Sequence, residues 1–160
     1  MAWKEDKFYF ERTEQLAVEA MQEGDDGFAS ILVDKNGEII MEQKNAAFTQ
    51  TDPTAHDTIE LVRRAVKEYP PEILSQCTVY ALMEPCVMCM GALFWGNIGR
   101  IKYAVSEKTL NGLLPGGLEI HSGEFAERCP KPMYSEGCVP ERKEAVEIVK
   151  TWVRSLGVQV

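Results

Sequence analysis

Two short segments carry residue types that could do chemistry together. Met83-Glu84-Pro85-Cys86-Val87-Met88-Cys89 sets two cysteines three positions apart, so both sulfurs fall on one side of a helix's first turn. Asp52-Pro53-Thr54-Ala55-His56, upstream of it, offers an imidazole at the start of another helix. Zinc accepts two thiolates and an imidazole, and three protein ligands leave a fourth position open for water, as catalytic sites do and closed structural sites do not. A closed site is the less natural reading, because the only other histidine is His121 and Cys77, Cys129 and Cys138 stand singly. The implied ligands are His56, Cys86 and Cys89, and the implied cofactor is Zn2+.

With Met90-Gly91-Ala92 following the second cysteine, these motifs closely resemble the cytidine deaminase-like superfamily, in its branch of guanine deaminases and tRNA adenosine deaminases. The resemblance runs from Phe28 to Val105, with both motifs in the family's order and each where a helix should begin. It implies a three-layer α/β/α fold with a central mixed five-stranded sheet. It also implies hydrolytic removal of an amino group from a small nitrogen heterocycle, a guanine-like purine first, with release of ammonia. Asn45, eleven residues before His56, takes the place of an asparagine that reads the ring edge, since an amide donates and accepts at once. By the same resemblance Phe28 lines the ring pocket, Trp95 lies on a helix that contributes to it, and the protein is a homodimer. The bland alternatives are a strand-end turn for Asn45 and core packing for Phe28 and Trp95.

One position departs from the family. The general acid/base is the second residue after the zinc histidine, and in His56-Asp57-Thr58 that residue is Thr58. A threonine hydroxyl does not shuttle protons near neutral pH, and losing a positioned acid/base costs roughly 10²- to 10⁴-fold. Three readings stay open: an inactivating replacement at position 58, recruitment of another carboxylate, or ligand binding without turnover. The candidate substitutes are Asp57, beside the ligand; Glu60, one helical turn along; and Glu84, beside the second motif. Spacing alone favours none of them.

These residues need elements to hold them. Asp6 to Glu23 has helical periodicity, with Gly24 at the C-terminal cap position. Phe28 to Asp34 and Glu38 to Asn45 read as strands joined at Lys35-Asn36-Gly37, a strong hairpin signal. His56 to Tyr69 reads as a helix that Asp52 or Thr54 could cap and Pro70-Pro71 ends. Cys77 to Met83 is a buried strand, Cys86 to Asn97 the second ligand helix, and Arg100 to Val105 the next strand, a succession that implies parallel pairing. Ser106 to Gly123, rich in Gly and Pro, reads as a loop or lid from which His121 could reach the site. Pro132 to Val139 adds a strand, and Glu141 to Leu156 is an amphipathic helix.

Composition sets the remaining bounds. The 160 residues, 45% apolar and 26% charged, suit one soluble domain spanning 1–160. A net charge of −8 with scattered basic residues weighs against a nucleic-acid partner and favours a small-molecule substrate. The sequence has no membrane-length apolar run and no signal-peptide pattern at its start, and its odd cysteine count suits a reducing compartment; the expected location is cytoplasmic.

Overall fold

The structure, a computed structural model, describes residues 4–160. Helix α1 (Asp6–Gln22) leads into the hairpin of β1 (Ala29–Val33) and β2 (Ile39–Lys44), followed by α2 (Asp57–Glu68), the short α3 (Pro71–Leu74) and β3 (Thr78–Met83). Then come α4 (Val87–Trp95), β4 (Arg100–Val105), α5 (Glu107–Leu113), α6 (Ser122–Glu127), β5 (Tyr134–Gly137) and α7 (Lys143–Ser155).

The strands form one mixed sheet in the order β2-β1-β3-β4-β5. β3, β4 and β5 pair in parallel, as the strand-helix alternation predicts. β2 and β3 run in the same direction but do not pair, because β1 lies between them and is antiparallel to both. Burial explains the order. β1 is buried along its whole length and takes an interior place, whereas β2 is half-buried and suits an edge.

Side-chain alternation along the inner strands divides the core in two. Ile31 and Val33 of β1 and Tyr80 and Leu82 of β3 face Tyr9, Phe10 and Leu16 of α1 and Val149 and Val153 of α7. Leu32, Val79 and Ala81 point the other way, onto Leu61 and Val62 of α2 and Met90 and Leu93 of α4. The two helices that begin at the candidate ligands, α2 and α4, therefore lie side by side on one face, and the three-layer α/β/α arrangement is as expected.

Two expectations need correction. The 106–123 segment is not simply a loop: it holds α5 and the first two residues of α6 (Ser122–Glu127). Ser106 starts α5 by accepting a hydrogen bond from the Thr109 N–H at 3.2 Å, and seven residues are too few for an apolar period to show in sequence. Nor does a side chain of Asp52 or Thr54 cap α2, whose N-cap residue is His56. The Asp52 carboxylate is spent locally, accepting from the N–H and Oγ of Thr54 at 2.8 and 2.7 Å. That turn presets the backbone entering the helix and leaves the imidazole free to point elsewhere.

Candidate functional site

His56 and Cys86 are the N-cap residues of α2 and α4, and Cys89 lies in the first turn of α4. Packing the two helices on one sheet face brings their N-termini together. The sulfurs are 3.7 Å apart, and His56 Nδ1 is 3.7 Å from Cys86 Sγ and 3.6 Å from Cys89 Sγ. A tetrahedral zinc with ordinary bond lengths would separate two sulfurs by about 3.8 Å and a sulfur from a nitrogen by about 3.5 Å. The triangle has the dimensions of three corners of that tetrahedron.

Its electrostatics also call for a cation. The hydrogen bond from Cys89 and the nearby imidazole hold the Cys86 thiol well below its ordinary pKa. The Cys86 sulfur and burial push the Cys89 thiol up. Two thiolates this close are stable together only with positive charge between them, and the paired helix N-termini supply part of it. The bond to Cys86 likewise raises the His56 pKa above its ordinary value.

The three candidate ligands open into a cavity of about 100 Å³ lined also by Phe28, Asp57, Thr58, Met83, Glu84, Pro85, Glu107 and Leu110. Phe28 is braced there by the ring of Trp152, centroid to centroid 4.7 Å. Thr58 is buried in the wall, and its hydroxyl donates to Asp57 Oδ2 at 3.4 Å. Asp57 is buried as well, and desolvation raises its carboxyl to about 6. The other predicted residues lie elsewhere. Glu60 is engaged by Arg63 and does not line the cavity. Asn45 is buried at the end of β2, where its Oδ1 accepts from the Ala47 N–H at 3.0 Å, and it is not among the lining residues. Trp95, 83% exposed at the far end of α4, stays outside the cavity.

Glu84 has a holding role. Its Oε2 accepts from the Glu107 N–H at 2.8 Å, and its Oε1 from the N–H and Oγ of Ser122 at 2.9 and 2.8 Å. One buried carboxylate thereby ties the starts of α5 and α6 to the residue before Pro85. Glu84→Ala strands the N–H groups of Glu107 and Ser122, while the Ser122 hydroxyl keeps Ser135 Oγ at 2.7 Å, and at roughly 1–3 kcal/mol for each unsatisfied buried group the expected loss is roughly 2 kcal/mol or more. For a chain of this size that lowers the melting temperature by about 4–8 °C. Calorimetry showing a change under a degree would refute this role.

Sequence reasoning missed Glu107. Glu84 directly follows β3 and Glu107 lies two residues past β4, and the parallel pairing of these strands, with Met83 opposite Val105, brings the two strand ends together so that the Glu107 N–H donates to Glu84 Oε2. The available signal was topological: residues just past the carboxyl ends of adjacent parallel strands meet, and such ends line ligand crevices.

Fold and ligand set together define a class of α/β proteins that can present a metal ion where two helix N-termini converge. The chain belongs to the family of cytidine and deoxycytidylate deaminases, whose zinc-binding region matches residues 3–105. It is 35% identical over 96 residues to a guanine deaminase of Bacillus subtilis, a match spanning 60% of this chain and 62%, under two thirds, of that relative. It is 30% identical over 153 residues to a tRNA-specific adenosine deaminase of Haemophilus influenzae, covering 89% of this chain and 87% of the other. Its fold is similar to that of a guanine deaminase from Nitrosomonas europaea, with a TM-score of 0.80 at 17% identity over 96% of this chain and 87% of that one.

Proposed function

We propose that this protein is a zinc-dependent hydrolytic deaminase of a small aminated nitrogen heterocycle, with a guanine-like purine base as the first candidate. The observation that carries the reading is the triangle of His56, Cys86 and Cys89 opening into a cavity walled by Phe28 and Leu110. Zinc bound there would act as a Lewis acid and bring the pKa of water toward neutrality. The rest of the work falls to the chain. Phe28, Leu110 and Met83 offer apolar surface to a flat ring, and the N–H groups at the start of α4 support negative charge as it develops on the attacked carbon's oxygen. A cavity of about 100 Å³, against the roughly 300–1,000 Å³ of sites for drug-sized ligands, favours a bare ring over a nucleoside. The net charge of −8 opposes docking of a phosphate backbone.

Zinc-loaded protein incubated with a panel of aminated purines, pyrimidines and triazines should release ammonia from at least one purine. Silence across the whole panel at full zinc occupancy would end this reading. Thr58 favours a second one, a zinc-bearing homologue that binds a ring without turnover, and calorimetric binding without ammonia would support it.

We also propose a homodimer in the cytosol. Trp95 and Tyr134, at 83% and 63% exposure, are large apolar side chains that a partner surface would cover. Among the described residues no helix is long and apolar enough to cross a membrane. Sedimentation at micromolar concentration should give twice the chain mass; a monomer would count against the dimer.

A further inference from the structure

Hydrolytic deamination needs proton traffic that Thr58 cannot carry. Water and an amino-substituted C=N unit become a carbonyl, a ring N–H and ammonia: a C–O bond forms, a C–N bond breaks, and nothing is oxidised or reduced. Both protons leave the water oxygen, one for the ring nitrogen and one for the departing amine. Some group at the cavity must take and return them.

Of the carboxyl groups near the ligands, Asp26 accepts from the Trp152 N–H at 3.0 Å and lies off the cavity, and four others compete for that task. Glu60 is bound by Arg63 and lies off the cavity. Both oxygens of Glu84 accept hydrogen bonds from helix starts, which commits three of its roughly four acceptor sites to holding the framework. Asp57 already receives the Thr58 hydroxyl. Glu107 differs from all three. It lines the cavity, is 7% exposed, and its Oε2 is buried without any hydrogen-bond partner. A buried carboxyl oxygen left unpaired is costly and calls for a partner, which a ligand ring or water in the cavity would supply.

We infer that Glu107, at the start of α5, has taken over the acid/base work that the family assigns to position 58, accepting a proton from the attacking water and delivering it to the ring nitrogen or the departing amine. The inference rests on the deaminase reading above. The surroundings suit it. Ligand-capable atoms of Glu84, Glu107 and His121 lie within 4.8 Å of one another. Desolvation first, then the charges of Glu84 and Cys86, raise the Glu107 carboxyl to about 7, with His121 opposing. Asp57, His56 and Cys89 are the other titratable groups lining the cavity. A group that changes protonation near neutral pH is matched to both halves of the transfer. The same atoms do not make a second cation site, because the Glu84 oxygens already hold three donors.

The test uses the zinc-loaded chain and whichever ring of the panel it deaminates. Glu107→Gln should keep its zinc and a KM within about threefold, while kcat falls roughly 10²- to 10⁴-fold and the rate loses one limb of its pH profile. Glu107→Asp, which keeps a carboxyl but retracts it by one methylene, should recover at least part of that loss. A readout independent of turnover comes from the stability of the metal-free chain. There the folded pKa is raised, so ionisation penalises the folded state, and the penalty grows as pH rises from the ordinary carboxylate range through about 7. Glu107→Gln should therefore melt higher than wild type at pH 8, with the gain vanishing toward pH 4.5. Wild-type turnover with Glu107→Gln within threefold, or an equal melting difference at both pH values, would overturn the role of Glu107 and leave the deaminase standing. A wild type silent on every ring would instead remove the deaminase reading and this role with it.

Discussion

Thr58→Glu introduced into the Glu107→Gln protein is expected to restore ammonia release by roughly 10²-fold or more, within the range that a positioned acid/base provides. Position 58 lines the same cavity as Glu107, so a carboxylate placed there faces the same bound ring from the position the family uses. In the wild-type background the same substitution should change kcat only a few-fold, because the proton already has a carrier and a second carboxyl in so small a cavity adds like-charge repulsion. The resemblance alone leads to the opposite expectation, that Thr58→Glu by itself raises activity by orders of magnitude. Measuring kcat for both single variants and the double variant decides between them. A large gain in wild type with no rescue in the double variant would mean that position 58 is simply vacant and that Glu107 is not the carrier.

The second large effect concerns the metal. Protein purified without chelator should carry about one zinc per chain, and Cys86→Ser or Cys89→Ser should reduce this to a trace. The sulfurs sit 3.7 Å apart, and the charge on one is what keeps the proton on the other. A dication removes that conflict and gains three ligands already in place, whereas losing either thiolate breaks the triangle. Zinc held at about a thousand times its Kd stabilises the folded chain by about 4 kcal/mol. Stripping it should thus lower the melting temperature by roughly 8–16 °C at this chain length. Binding should weaken as pH falls, since both thiols and the imidazole must shed protons to ligate. Cys77→Ser, which alters a buried thiol outside the ligand group, should keep its zinc. Full zinc retention in both ligand variants would show that the ligand set is wrong.

The candidate ligand triangle of His56, Cys86 and Cys89 was legible in the sequence because it is a local property. Two cysteines three apart at a helix start can only present their sulfurs together, and a histidine opening a helix of fixed length and polarity has few places to go. The hairpin at Lys35-Asn36-Gly37 and the amphipathic run of α7 were readable for the same reason: turn chemistry and period are written within a few residues. That locality also explains Trp95, which belongs by sequence to a ligand helix and in space to its distant, exposed end. What the sequence could not state is which distant segments become neighbours. The parallel register of β3 and β4, the insertion of β1 beside β3, and the short helices after β4 are decided by how the apolar faces of the sheet are covered. No local pattern encodes them. Those choices occupy Glu84 with helix starts, turn Glu60 toward Arg63 and place Glu107 in the cavity with one oxygen unpaired. A carboxyl group's role depends on its neighbours' donors and charges, and those neighbours are assigned only when the chain is folded.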